Sequence, residues 1–186
     1  MLHTTDAVVL SLQPHSDKAH VLHAYTRASG RVNYMVYGLG KKHAIGMYAP
    51  LSVIQITADD KSLRTAQLTY VPVSLNADPH KRSIALFLSE VLYHVLRHPM
   101  EDEPMYAYIA QAVEELDQTD EPQNFHLRFL IGLAAKLGFA MSEEPAVPHT
   151  RAERQKQLRS LCAYFAEHVE TWQEPKSLEI LMEVFD

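Results

Sequence analysis

The chain has 186 residues and a hydrophobic content of 47%, which suits one domain or two small ones and is too apolar for a disordered chain. Its formal net charge is −6, and its one cysteine, Cys162, excludes an internal disulfide and any multi-cysteine zinc site. No apolar run approaches the roughly 20 residues a membrane helix needs, and the opening MLHTTDAVVL has no basic n-region or cleavage site, so a cytoplasmic location is expected.

The first part of the chain reads as strands. Thr5 to Leu12 is β-rich around Ala7-Val8-Val9-Leu10, and Gln13 to Asp17 reads as a turn. His20 to Thr26 alternates, with Val21, His23 and Tyr25 on one face and Leu22 and Ala24 on the other. Gly30 closes the next turn, where a positive φ is expected. Arg31 to Tyr37 is the third strand, with Val32, Tyr34 and Val36 inward and Asn33, Met35 and Tyr37 outward. Leu51 to Ala58 and Leu63 to Val73 complete five strands around the polar turn Asp59-Asp60-Lys61-Ser62. Five short strands joined by polar turns suit a small barrel.

Residues 74 to 80 break this pattern, and Asp78-Pro79 reads as a turn leading into a helix. The apolar period then changes from two to about 3.6. Ile84, Phe87, Leu88, Val91, Leu92 and Val95 stripe a helix ending near His98-Pro99. A second helix runs around Met105 to Leu116, and a third is opened by Pro122 and stopped by Gly138. After a loop from Ser142 to Thr150, a fourth helix runs from Arg151 to about Thr171, with Cys162 as a small buried hydrophobe, and a short helix follows Pro175. The fold class expected is α+β in two domains: a five-stranded OB-fold barrel over residues 1–78 and an all-α domain over residues 79–186.

The charge is unevenly distributed. Residues 1–80 carry seven Lys/Arg against five Asp/Glu, a net of +2, whereas residues 81–186 carry ten against eighteen, a net of −8. Between Tyr25 and Lys42 lie four Lys/Arg and three tyrosines. Cations neutralise phosphates and flat rings stack on bases, so this stretch reads as a single-stranded nucleic-acid surface. Arg27, Arg31, Lys41, Lys42 and His43 are its candidate contacts, with Gly38 and Gly40 letting the loop fold onto a ligand. Tyr37 is the candidate stacking ring. Lys61 and Arg64 extend the path, and Lys81-Arg82 is a further possible extension. The competing reading of each cation is a solubilising rim.

Other clusters carry less chemistry. His94 and His98 have helical metal-ligand spacing but no third ligand. Ser16, Asp17 and His20 hold the residue types of a triad without a nucleophile elbow or oxyanion loop. No Walker A, paired-carboxylate or dinucleotide pattern occurs. No enzyme activity, metal or cofactor is therefore expected, although an unrecognised hydrolase is a rival reading.

The order of parts resembles the RecO family of bacterial recombination mediators, most closely its Bacteroidetes members. The resemblance rests on Thr5 to Leu10, Tyr25-Thr26-Arg27 with Gly30-Arg31, Tyr37-Gly38 before a basic loop, and Pro50-Leu51. In the helices it rests on Lys81 to Leu88 running on to Tyr93, Asn124 to Leu127, Leu137-Gly138-Phe139 and Lys176 to Leu181. It implies a non-catalytic mediator that binds single- and double-stranded DNA, anneals strands, and works with RecR and the acidic tail of single-stranded-DNA-binding protein to load RecA. Nucleoid association follows from the same implication. It also implies a helical-domain pocket for that tail, for which Arg97, Arg128 and Lys136 are the candidate cations. The chain departs from the family in lacking its four-cysteine zinc module and in having only Ser142 to Thr150 after the Leu-Gly-Phe turn. The alternative function is a protein adaptor for RecR and single-stranded-DNA-binding protein with little DNA affinity of its own.

Overall fold

The computed structural model describes residues 1–41 and 44–185. They form two compact units: Met1–Val73 with Leu96–Glu114, and Ser74–Val95 with Glu115 onward. The sequence reading draws a single boundary between residues 78 and 79. The units take alternating stretches instead of meeting at one cut, because residues 96–114 pack with the strands.

The first unit is built on strands β1 (His3–Ser16), β2 (Ala19–Thr26), β3 (Gly30–Tyr37), β4 (Val53–Ala58) and β5 (Leu63–Leu68). They run antiparallel in the order β3-β2-β1-β4-β5. The sheet curls until its edges meet. The Met35 N–H of β3 donates to the Lys61 carbonyl at 2.8 Å, and Met35 pairs in parallel with Ser62. Closure satisfies edge groups that an open sheet would expose. Alternation sends Ala7, Val9, Leu22, Ala24, Tyr34, Val36, Ile54 and Ile56 into the barrel core. The α+β fold with an OB barrel is thus as the strand pattern implies.

Several boundaries differ from the sequence reading. β1 continues through the expected turn at Gln13–Asp17, because β2 pairs with it as far as Ser16↔Ala19. Register irregularities at Val9/Ser11 and Pro14/Ser16 absorb the proline. Leu51 is not in β4. It sits at φ 61°, and its N–H donates to the Val9 carbonyl at 2.9 Å. β5 stops at Leu68 and leaves Val71 and Val73 exposed. Between β3 and β4 a 3-10 turn (Ile45–Tyr48) drops Tyr48 into the core.

Residues 96–100 do not continue the preceding helix. They lie beside the start of β3, at its free edge, and lead into α3 (Glu103–Gln118), whose start Asp102 caps by accepting the Met105 N–H at 3.0 Å. The approach requires a glycine. Gly30 has φ +61°, and a Cβ there would collide with the Met100 carbonyl. One residue on, the Arg31 N–H donates to the His98 carbonyl at 3.3 Å. Met105, Tyr106 and Ile109 bury the helix face in this unit.

The second unit holds α1 (Ser74–Ala77), α2 (Pro79–Val95), the end of α3, α4 (Phe125–Lys136), α5 (Arg151–His168) and α6 (Leu178–Val184). Pro79 opens α2 where its missing N–H costs nothing, and Asp78 accepts the His80 N–H at 2.8 Å. Thr150 and Glu153 form a reciprocal capping box at the start of α5. Gly138, at φ +91°, ends the α4 region as expected. The predicted stripes are buried: Ile84, Phe87, Leu88, Val91 and Leu92 on α2, Phe125, Phe129, Leu130 and Leu133 on α4, Leu158, Leu161 and Phe165 on α5. α2 ends at Val95 rather than near Pro99, and α5 at His168 rather than Thr171, where Val169 turns extended. Glu90 of α2 ties down the start of α6, accepting from the Ser177 N–H at 3.0 Å and its hydroxyl at 2.8 Å.

His126 lies in this core with Phe185 stacked on it and Phe87 edge-on. Burial, and then the Arg154 charge, push its imidazole down to about 3. The unfolded ring takes a proton near its ordinary value of 6.5, so between 6.5 and about 3 the unfolded chain binds the extra proton. This contribution to stability is fully present above pH 6.5 and is lost as pH falls through that window. His126→Phe should therefore lose less stability between pH 7 and pH 4.5 than the parent, by about 2 kcal/mol. Urea titrations at the two pH values measure this, and equal losses in parent and variant would contradict it.

Candidate nucleic-acid interface

The candidate cations divide between the two ends of β3. At its first end, Arg31 is only 8% exposed. Its Nε donates to Asn33 Oδ1 at 3.4 Å, and its Nη2 lies 3.2 Å from His23 Nδ1. That Nδ1 is also 2.6 Å from Asn33 Oδ1. Burial lowers His23 from its ordinary value; the Asn33 hydrogen bond opposes this, and the Arg31 and Arg97 charges add to the lowering. Arg31, read from the sequence as a ligand contact, is buried here and hydrogen-bonded within the protein.

Arg27 sits at the same end and is half-exposed. Its Nη1 is 3.4 Å from Asp6, its Nε is 3.5 Å from Glu103, and its guanidinium lies 4.8 Å from the Tyr106 ring centre. Two carboxylates and a ring commit this cation to holding α3 on the barrel.

Tyr37 lies six residue steps along β3 from Arg31, roughly 20 Å at the usual rise. At this second end, Tyr37 is 52% exposed, on the outward face that alternation assigns it. Gly38 and Gly40 adopt φ 74° and 81°. They turn the chain so that Lys41 is exposed and its N–H donates to the Gly38 carbonyl at 3.0 Å. Lys42 and His43 lie outside the described residues. The β3–β5 closure brings the β4–β5 turn to this end, with Lys61 exposed. Arg64 is also exposed but grips Asp59 Oδ2 through Nε at 3.1 Å and Nη2 at 2.6 Å. The Lys61 and Ser62 backbone N–H groups, and then Arg64, hold the Asp59 carboxyl down to about 2.

Sequence reasoning missed Lys18. It stands exposed in the β1–β2 turn, and the pairing of Ala19 with Tyr37 puts that turn at the same end. Its signal was available: once β1 is read as reaching Ser16, Lys18 falls in the loop that OB barrels use together with the β4–β5 loop. Among the described residues no carboxylate pairs with Lys18, Lys41 or Lys61.

The remaining candidates fall in different units. Arg97 belongs to the first unit, and Arg128 and Lys136 lie on α4 of the second; all three are exposed. Arg128 rests 5.8 Å from the Phe125 ring. Lys81, a possible extension of the path, is 3% exposed and donates to Ser74 Oγ at 2.7 Å and the Asp117 carbonyl at 2.8 Å. It is a buried clamp on the end of α3 and does not extend a surface. Among the described residues no group of three or more His, Cys, Asp or Glu could hold a metal ion, and no helix is long and apolar enough to cross a membrane.

A five-stranded barrel with cations at one end, joined to a helical unit, defines an OB-fold protein of the α+β class. The family models described as "Recombination protein O N terminal" and "Recombination protein O C terminal" match residues 1–71 and 76–148. The chain belongs to the recombination protein O (RecO) family of DNA repair proteins. It is 34% identical over 150 residues to the DNA repair protein RecO of Porphyromonas gingivalis, covering 74% of this chain and 61% of that one. It is likewise 34% identical over 154 residues to that of Phocaeicola vulgatus, covering 77% and 64%. The chain thus spans less than two thirds of the length of these relatives. The alignment with the protein of Christiangramia forsetii, 26% identical, runs over 238 positions and all of both chains, so that relative carries residues with no counterpart among the 186 here.

The two ends of β3 should respond oppositely to substitution. Arg31→Met should lower the urea midpoint, by about 1–3 kcal/mol of stability, and leave affinity for a labelled single-stranded oligonucleotide unchanged. Lys41→Ala should weaken that affinity while keeping the midpoint within about 0.5 kcal/mol. Fluorescence anisotropy and denaturation of both variants decide this, and a folded Arg31→Met protein with lost affinity would reverse the assignment.

Proposed function

We propose that this protein is a non-catalytic recombination mediator whose barrel binds single-stranded DNA, and double-stranded DNA by the same backbone contacts. The observation that carries this reading is the gathering of Lys18, Lys41, Lys61 and Arg64 around the exposed ring of Tyr37 at one end of an OB barrel. The lysines meet phosphates as mobile point charges, and Tyr37 offers a face on which one base stacks. Nothing in this set distinguishes one base from another, so binding is independent of sequence, as strand annealing requires. Work with RecR, with single-stranded-DNA-binding protein and, through them, on RecA follows from family membership. A cytoplasmic, nucleoid-associated location goes with that role.

Four phosphate contacts imply a log–log salt slope near −3 for single strands. The triple variant Lys18→Ala, Lys41→Ala, Lys61→Ala should bind weakly and show a slope near −1. Anisotropy titrations over a salt series measure both, and a slope that the triple variant leaves unchanged would move the DNA path elsewhere.

One observation favours the adaptor reading. Arg27 and Arg31 are engaged within the protein, and the net charge of −6 opposes DNA at long range. On that reading Arg128 and Lys136, both exposed on α4, meet an acidic peptide tail. A labelled peptide carrying such a tail should then bind at low salt, and should do so more weakly by about tenfold after Arg128→Ala. No binding at low salt removes the adaptor role for these residues.

A further inference from the structure

We infer that His126 and Arg154, in the helical unit, form a binding site for a carboxylate carried on a body with hydrogen-bond donors or positive charge, as in a free α-amino acid. His126 is 2% exposed, and no partner satisfies its Nδ1; the Nε of Arg154 is likewise buried and without one. Both side chains line a small pocket walled by Leu158, Leu181, Met182 and Phe185. A buried donor left unpaired costs about 1–3 kcal/mol, so two on one pocket mark a place built for an oxygen ligand. The imidazole is held neutral by burial and by Arg154. In the Nδ1–H tautomer it donates beside the Arg154 Nε–H, and the two N–H groups can meet one carboxylate.

The pocket itself has room for one water-sized group, about 10 Å³, so a single carboxylate oxygen enters it between the two N–H groups. Arg154 and Phe185 also line a second, open cavity of about 590 Å³, large enough for a small molecule. The rest of the ligand must lie there. Asp78, Asp120 and Glu121 border that cavity. They oppose a second negative charge and favour an ammonium group, so the site should reject acidic peptides and phosphates. One carboxylate inward and one positive charge outward is the charge pattern of a neutral or basic amino acid.

The test uses the full chain, with the imidazole nitrogen resonances followed by NMR and the His126 signals assigned from His126→Asn. L-Alanine and L-lysine should shift the His126 signals saturably at millimolar concentration. Alaninamide, which lacks the carboxylate, should not, and L-glutamate should bind more weakly than L-lysine. Arg154→Gln should weaken lysine binding by about tenfold or more. Should Arg154→Gln fail to fold, the comparison of alanine with alaninamide on the parent protein still decides. The inference is overturned if neither amino acid moves the His126 signals, which would leave the two nitrogens bridged by water. Alaninamide binding as alanine does, glutamate binding as tightly as lysine, or lysine binding unaffected in folded Arg154→Gln would each overturn it too.

Discussion

The close approach of Met100 to Gly30 is the constraint on which the rest of the first unit depends. Only a residue without a Cβ, at positive φ, lets residues 98–100 approach the start of β3 this closely. Once they lie there, the His98 carbonyl takes the Arg31 N–H, and Arg27 is drawn between Asp6 and Glu103 with Tyr106 beside it. At this end the outward-facing Tyr25, His23 and Arg31 are buried, on a face that OB barrels commonly give to a ligand. Past Val95, where α2 stops, the His98 carbonyl takes its donor from β3 and not from another helical turn.

This burial divides the cations by role. Arginine suits the buried end, because its planar fork can serve a ring, an amide oxygen and two carboxylates while remaining charged. The open end keeps lysines, which hold a mobile charge in water and reach phosphate without fixed geometry. Tyr37 stands among them because β3 alternates, and because its pairing with Ala19 brings the β1–β2 turn alongside. Arg64 is the exception. Its bidentate contact with Asp59 orients the β4–β5 turn while leaving the guanidinium half in solvent. The net surplus of charge at this end is small, so the DNA binding proposed for it should be sensitive to ionic strength.

In the helical unit, polar groups fix the ends of helices while apolar stripes fill the middle. Asp78, Thr150 with Glu153, and Glu90 each satisfy N–H groups that a helix start leaves open. Lys81 does the converse, giving its ammonium to a carbonyl at the end of α3, where positive charge is favoured. The buried nitrogens of His126 and Arg154 have no such partner, and both line one pocket. Cys162, with its thiol pushed up to about 12 mainly by burial, is an inert core residue, as its place in the apolar stripe implied.

Local pattern alone determined the five strands, their inward faces, the four long helices and most of the core. Each follows from a period of two or 3.6 that the chain carries residue by residue. The outward face of Tyr37 and the left-handed conformations of Gly30 and Gly138 belong with these. The fate of each cation was not legible in this way. Arg27 and Arg31 read like Lys41 in sequence, and what separates them is a segment some seventy residues later, which the sequence does not say will fold back beside the start of β3. Lys18 was overlooked because the proline at 14 suggested a turn, which pairing with β2 overrode. The His126–Arg154 pocket needed the meeting of three helices. Burial and charge pairing are properties of neighbours in space, and only the tertiary structure chooses those neighbours.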